Sequence, residues 1–356
     1  MSSGYVAVQW NRHKRVYDII VALALSLFIA TFFVIGRLMY RGEHAVSDEI
    51  LLMRALGACA FCSLTVILCI GPLARLSTRF LPLLYNRRHL GVATFLTALL
   101  HAVVAIGFYH GFGVLNPLRS LLETNTAFDS LASFPFQLFG LAALLILFVM
   151  ASTSHDFWLR NLGARGWKRL HMLVYPAYLL VVLHVALGAL QTQSSSVLLT
   201  VVLAAVSLVG LLHVVAGMRE LRTDARTRDE PPLRGEGWVD VCGVDDVMEG
   251  RGRVVCIGTR ERIAIFRHNQ SISATTNVCR HQGGPLGEGR ILDGCITCPW
   301  HGWTYRPQDG TAPPPFTEKI ATYRVRVVGK RVQVIPTPLP PGTAVEPARI
   351  DGSPHG

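Results

Sequence analysis

Apolar residues dominate the first 218 positions of the chain and thin out abruptly after Met218. Six predominantly apolar runs lie in that stretch: Val16–Tyr40, Ile50–Gly71, His89–Phe112, Phe134–Ala151, Lys168–Leu190 and Ser196–Gly217. A helix needs about 20 apolar residues to cross the hydrocarbon core of a bilayer, so each run predicts a membrane-spanning helix. The first run is too long for a signal-peptide core and no small-residue cleavage site follows it, so it is expected to persist as a helix. After Met218 the period changes. Apolar and polar residues alternate over Trp238–Val244, Arg253–Gly258, Arg262–Arg267, Ser271–Thr276, Ile320–Val328 and Arg331–Ile335, the pattern of short half-buried strands. The expected fold class is an α-helical membrane bundle of six transmembrane helices followed by a small all-β domain. The segments run as residues 1–15 before the bundle, 16–218 for the bundle, 219–236 for a charged linker, 237–336 for the β domain and 337–356 for a Pro-rich tail expected to be disordered.

Composition agrees with the pattern. Of the 356 residues 51% are hydrophobic and only 16% charged, where soluble domains average about 25% charged. The formal net charge of +11 does not point to nucleic acid, because the basic residues sit in short segments between apolar runs. Asn11–Arg15 is basic, as are the segments with Arg75, Arg79, Arg87 and Arg88, with Arg160, Arg165, Lys168 and Arg169, and with Arg219, Arg222, Arg226 and Arg228. The alternate connections are mixed or uncharged: Arg41 with Glu43 and Asp48, Arg119 with Glu123 and Asp129, and Gln191–Ser195. The positive-inside bias then predicts a multi-pass protein of the inner (plasma) membrane, with both termini and the β domain in the cytoplasm.

Eight cysteines divide between one apolar span (Cys59, Cys62, Cys69) and the β domain. The first group reads as small packing residues. In the second, Cys279-Arg-His281 is followed by Cys298-Pro-Trp-His301-Gly-Trp. Two Cys/His pairs on two loops can divide a binuclear cluster, thiolates on one iron and imidazoles on the other. A tetrahedral zinc takes the same ligand types, but zinc does not account for the Pro-Trp-His-Gly-Trp run or the flanking strands. With His281-Gln-Gly-Gly-Pro-Leu and Cys298-Pro-Trp-His301-Gly-Trp-Thr-Tyr, the segment Trp238–Pro336 resembles the Rieske [2Fe–2S] family. The resemblance makes Cys279, His281, Cys298 and His301 the cluster ligands. High-potential Rieske proteins add a disulfide between the two loops and a serine that donates to the cluster. Gly284, Trp300 and Trp303 stand at those places here, which aligns the chain with the lower-potential ferredoxins and oxygenase domains. Cys295 is at no ligand position and reads as a small buried residue. No soluble domain offers the two-His, one-carboxylate iron site of an oxygenase, so the cluster is expected to pass its electron elsewhere.

Histidine inside a membrane span is costly, and is a functional candidate by default. His101 lies midway along the third run, and His171 and His184 lie thirteen residues apart in the fifth. That interval is about 20 Å of helix, the spacing of two cofactors at opposite membrane faces. His101 follows His89 by twelve residues and His184 follows His171 by thirteen, which puts His101 and His184 at one outer depth and His171 at an inner one. His89 and His213 are as readily explained by bonds to neighbouring helices, and His110 reads as interfacial. The runs Arg87-Arg88-His89-Leu-Gly91 through His101, and Trp167-Lys-Arg-Leu-His171 through His184, resemble the ferric reductase-like transmembrane family. Within it they resemble in particular the heme-binding membrane subunits of bacterial periplasmic methionine sulfoxide reductase systems. The resemblance implies heme b, one or two per chain, with His101 and His184 as the outer axial pair and His171 on an inner heme. The broader family has a histidine fourteen residues before His101, where this chain has Arg87; Arg87, His89 and His213 are the remaining inner candidates. Arg87 stays protonated and suits a heme propionate better than iron.

No glycine-rich nucleotide fingerprint follows the bundle, so oxidation of a pyridine nucleotide would need a separate reductase. The expected function is transmembrane electron transfer. A cytosolic flavin/NAD(P)H reductase or ferredoxin would feed the Rieske cluster, then heme b, then an outer-face acceptor: a periplasmic reductase partner, ferric iron, oxygen or quinone. The alternative is a membrane-anchored Rieske sensor of redox state or iron that lacks heme. A pyridine hemochrome assay separates the two.

Overall fold

The computed structural model describes residues 12–350, apart from 43–44, 81–82, 84–85, 132, 194–195, 229–236, 258–260, 282, 300–301 and 315. The chain forms two compact units, Met1–Pro72 with Asn86–Leu212, and Leu73–Tyr85 with His213–Gly356.

The main helices are α1 (Arg12–Met39), α2 (Asp48–Leu76), α3 (Arg87–His110), α4 (Gln137–Ser152), α5 (Asp156–His171), α6 (Val174–Leu187) and α7 (Ser196–Arg228). Among the described residues, five stretches are long and apolar enough to cross a membrane: Arg15–Met39, Asp48–Leu76, Arg87–His110, Gly166–Gln191 and Ser196–Arg219. The sixth expected span is shorter. α4 has 16 residues, about 24 Å of helix against a hydrocarbon core of about 30 Å. Its C-terminal end is set by hydroxyls that bond back to the helix, Thr153 Oγ1 to Val149 O at 2.6 Å and Ser154 Oγ to Met150 O at 2.7 Å. α4 packs along α6. α2 is the centre of the bundle, with 56% of its most apolar window buried against 6–17% in the other four. The outward apolar side chains, Leu23 and Leu27 among them, are more than half exposed and suit a lipid surround.

The basic segment 152–169, expected as a loop, is largely the helix α5. The fifth run is not one straight helix either. Pro176 has no N–H for the carbonyl of Met172, and the chain breaks at Met172–Leu173 between α5 and α6. Nor is the linker irregular throughout. Residues 219–228 continue α7, since Glu, Leu, Arg and Ala favour helix and the first proline comes at Pro231.

The β unit has strands β1 (Val239–Gly243), β2 (Gly252–Ile257), β3 (Glu261–His268), β4 (Ser271–Thr276), β5 (Arg290–Leu292), β6 (Cys295–Thr297), β7 (Thr304–Tyr305), β8 (Thr322–Tyr323), β9 (Val325–Val328), β10 (Arg331–Val334) and β11 (Ala348–Arg349). They pair antiparallel as β1-β10-β9, as β11-β4-β3-β2 with β8 also on β4, and as β5-β6-β7. β3 is buried on both faces. Ile263 and Ile265 enter one core with Val255, Ile272 and Val332, while Ala264 and Phe266 enter a second with Leu286, Ile296 and Tyr305. The second core carries the cysteine loops. The segment 337–350, expected as disordered, is ordered because its backbone finds partners. Ala348 and Arg349 pair with Ile272 and Ser271, Leu339 donates its N–H to Thr322 O at 2.9 Å, and Ile350 packs on the first core.

Candidate metal centres

The two cysteine loops close by the same hydrogen bonds. Cys279 N–H donates to Gly284 O at 2.9 Å and Cys279 O accepts from Gly283 N–H at 2.7 Å; Cys298 N–H donates to Trp303 O at 2.7 Å and Cys298 O accepts from Gly302 N–H at 3.0 Å. In each loop the residue four past the cysteine is a glycine in the left-handed region, Gly283 at φ 74° and Gly302 at φ 69°. Cys279 and Cys298 are each 1% exposed, and His281, two residues past Cys279, is buried. Asn277 Oδ1 accepts from Gly287 N–H at 2.7 Å and braces the first loop. His301, expected as the fourth ligand, and Trp300 lie outside the described residues.

Aromatic rings cover the imidazole. His281 and Trp303 stack at 4.3 Å and 4°, and Phe316 lies on Trp303 at 4.2 Å. Trp303 Nε1 is buried and has no hydrogen-bond partner among the described residues, the kind of orphan donor that a cluster sulfur satisfies. Tyr305, which closes the Cys298-Pro-Trp-His301-Gly-Trp-Thr-Tyr run but was given no role there, joins the loops. Its hydroxyl accepts from Arg280 N–H at 3.0 Å and lies 3.5 Å from Cys279 Sγ. Burial, and then the neighbouring Cys279, hold the Tyr305 phenol far above its ordinary pKa, so it remains a donor to a thiolate. The signal was present in the sequence as the tyrosine seven residues past Cys298. Cys295 sits on β6, half-buried and outside the two cysteine loops, and burial pushes its thiol pKa up.

In the membrane unit the structure brings His101 of α3 and His184 of α6 together, ring centres 6.3 Å apart and planes at 83°. His101 Nδ1 donates to Met53 O at 2.9 Å and His184 Nδ1 to Phe136 O at 3.0 Å. A carbonyl can only accept, so each Nε2 keeps its lone pair, as in metal-bound histidines. A nitrogen lies about 1.1 Å from its ring centre and a metal–nitrogen bond is about 2.0 Å, so two rings sharing one axial iron stand about 6.2 Å apart. The observed gap fits. Glycines admit both rings: a Cβ on Gly57 would lie 3.0 Å from His101 Nδ1, and one on Gly140 2.8 Å from His184 Nδ1.

His171 is set apart from this pair, at the end of α5. Its Nδ1 donates to Trp167 O at 3.0 Å, its ring stacks on Trp167 at 3.7 Å, and the Arg88 guanidinium lies 5.1 Å from the Trp167 ring centre. His171 Nε2 is buried with no hydrogen-bond partner among the described residues. His89 Nδ1 is 2.7 Å from Asp18 Oδ1 on α1, and His110 bonds Ser120 at 2.9 Å.

Comparison with known proteins divides the chain at the same change of pattern. Residues 56–182 match the ferric reductase like transmembrane component and residues 237–324 match the Rieske [2Fe-2S] domain. The heme-binding subunit MsrQ of the protein-methionine-sulfoxide reductase of Herminiimonas arsenicoxydans is 31% identical over 164 residues, 44% of this chain and 69% of that one. The ferredoxin component of the alkene monooxygenase system of Xanthobacter autotrophicus is 32% identical over 104 residues, 29% of this chain and 84% of that one. The chain belongs to the ferric reductase-like family and carries a C-terminal Rieske domain. A ferredoxin complexed with the oxygenase of carbazole 1,9a-dioxygenase is 29% identical, with a TM-score of 0.26, and covers 28% of this chain and 94% of that one. Against other, longer relatives the chain spans about a fifth of their length. The Rieske domain implies a [2Fe–2S] cluster and the ferric reductase-like domain implies heme b. The buried thiols and orphan Trp303 donor suit the first, and the 6.3 Å imidazole gap suits the second. A sensor that merely anchors a cluster without heme has no support in this pairing.

Proposed function

We propose that this protein carries electrons across the membrane from a cytosolic flavin/NAD(P)H reductase or ferredoxin to an acceptor at the outer face. The observation that carries the reading is the His101–His184 pair, matched in spacing to one axial iron and set in a chain that also holds a Rieske domain. The bound cluster and heme supply one-electron chemistry, and the protein supplies ligands, position and dielectric. Cys279 and Cys298 as thiolates and His281 and His301 as imidazoles hold the cluster. Tyr305 donates toward Cys279, and Trp303 shields His281 from water. His101 and His184 hold the outer heme, their tautomers set by Met53 O and Phe136 O. A pyridine nucleotide gives up two electrons at once, so a flavin in the donor is needed to divide them.

Positive residues between the spans support a cytoplasmic Rieske domain and an inner-membrane location. Among acceptors at the other face, a periplasmic reductase partner is favoured over ferric iron, oxygen or quinone, by analogy with the methionine-sulfoxide reductase subunits alone. The test is a redox titration of both cofactors in one sample, followed by anaerobic mixing with a flavin reductase and NADH. The expected result is a cluster midpoint below that of the outer heme, with the cluster reduced first. A cluster midpoint well above the heme, with heme reduced first, would mean that electrons run the other way.

A further inference from the structure

The two outer histidines are held by one device built twice, on different helices. His101 Nδ1 donates to Met53 O, and a Cβ on Gly57 would lie 3.0 Å from both His101 Nδ1 and Cε1. His184 Nδ1 donates to Phe136 O, and a Cβ on Gly140 would lie 2.8 and 2.9 Å from His184 Nδ1 and Cε1. In each case carbonyl and glycine are four residues apart (57 − 53 and 140 − 136). The spacing has a physical cause. A helical Cβ leans toward the N-terminus, so the side chain at position i+4 stands over the carbonyl of position i. A ring from another helix reaches that carbonyl only where position i+4 carries no side chain. Met53 with Gly57 on α2, and Phe136 with Gly140 at the start of α4, meet that requirement.

The clasp fixes more than a tautomer. Rotating an imidazole about its Cβ–Cγ bond swings Nδ1 off the carbonyl, so the bond to Met53 O or Phe136 O also sets the ring plane. The two planes stand at 83°, close to the crossed limit. His184 has a further stop. The Phe136 ring lies 5.4 Å from it at 47°, and Gly188 packs on the Phe136 ring in turn, where a Cβ would lie 2.5 Å from Phe136 Cε2.

Ring planes matter to a low-spin ferric iron, which has one vacancy in the pair of d orbitals that interact with imidazole π electrons. Parallel imidazoles raise one orbital of the pair above the other, and placing the vacancy in the upper one stabilises the ferric state. Crossed imidazoles raise both alike and remove that stabilisation. The ferrous state, with both orbitals filled, is indifferent. Crossed planes therefore favour reduction, a tuning made by the protein rather than by ligand identity.

We infer that Met53 and Phe136, each with its glycine, are positioning residues that hold the outer axial imidazoles crosswise and thereby raise the midpoint of the outer heme. The inference rests on the electron-transfer reading and deepens it, since it gives the outer heme the pull that draws electrons toward the far face.

The test is EPR of the full-length ferric protein in detergent, where the oxidised cluster is silent. Crossed imidazoles give a low-spin signal with one large g value and a ramp-like line, whereas parallel imidazoles give three resolved g values. The large-g signal is expected, and His101→Ala should remove it. Because 83° is near the limit, a loosened ring has almost nowhere to turn but toward parallel. Phe136→Ala keeps the carbonyl but removes the ring beside His184, and Gly188→Ala displaces that ring. Each should lower the largest g value and, in a redox titration, the midpoint of the heme that the variant retains. Gly107→Ala, with nothing within 4 Å of its Cβ position, should move neither. A parent spectrum with three resolved g values would overturn the inference while leaving the axial pair standing. So would a large g value and midpoint that neither Phe136→Ala nor Gly188→Ala moves. Identical spectra from the parent, His101→Ala and His184→Ala count instead against the outer pair itself.

Discussion

Tyr305 ties one cluster loop to the other through a single oxygen, accepting from Arg280 and lying within hydrogen-bond range of Cys279 Sγ. Because that oxygen already accepts an amide, its own hydrogen is available to the sulfur. A donor to a ligating thiolate stabilises the reduced cluster, which carries one more negative charge. Tyr305→Phe should therefore lower the Rieske midpoint by about 60 mV, the one-electron equivalent of about 1.4 kcal/mol. An EPR-monitored titration checks this, and an unchanged midpoint would show that the phenol does not donate to Cys279. The absence of the high-potential serine, read alone, puts the cluster at the low end of its range; the Tyr305→Phe titration measures how far a phenol donor lifts it from that floor. Ligand identity is checked separately. His281→Ala should abolish the rhombic signal of the reduced protein, whereas Cys295→Ser, which changes a thiol on β6 outside the two cysteine loops, should retain it. Loss of the cluster in Cys295→Ser would overturn the ligand assignment.

At the scale of elements, two glycines decide how closely helices approach the outer histidines. Gly57 belongs to α2 and Gly140 to α4, and a Cβ at either would fall 3.0 or 2.8 Å from an imidazole nitrogen. Each ring is also tethered to a backbone carbonyl, so it cannot yield without losing that bond. Gly57→Ala and Gly140→Ala should each cost about 1–3 kcal/mol of stability from overpacking and deplete the low-spin heme signal. Gly91→Ala is the control, since nothing lies within 4 Å of its Cβ position. Unaltered heme spectra in both variants would show that the rings have room to move. The meeting of His101 and His184 was legible in the sequence, because two parallel runs with intervals of twelve and thirteen residues from His89 and His171 reach nearly the same depth. The break at Met172–Leu173 was less so. Apolar periodicity continues through it, and only Pro176 marks it. Strands β5–β7 escaped because two or three residues between glycines carry no period of their own, and β11 because proline spacing conceals a segment whose order comes from the edge of β4. Composition reports what a segment prefers alone, whereas pairing with a distant strand is decided by the rest of the fold.

At the scale of the whole molecule, the combination matters more than either half. The ferric reductase-like domain and the Rieske domain both imply one-electron cofactors, and nothing after Met218 resembles a nucleotide-binding fingerprint. If the Rieske domain is the sole entry for electrons, the heme depends on it for every reducing equivalent that a soluble donor supplies. Cys298→Ser separates entry from capacity. Cys298 is buried, and its N–H and C=O hold the second loop through backbone bonds that serine can keep. The variant should thus fold while losing a thiolate that the cluster requires. With NADH and a flavin reductase, heme reduction in this variant should fall by at least about tenfold, as expected when a required cofactor is removed from a serial path. Dithionite, which is small enough to reach heme directly, should still reduce it fully, and the hemochrome content should match the parent protein. Parallel stopped-flow traces of parent and variant at the heme Soret band make the comparison. Equal rates in the two would mean that the donor reaches the heme without the cluster, and the Rieske domain would then be a branch of the path rather than its entrance.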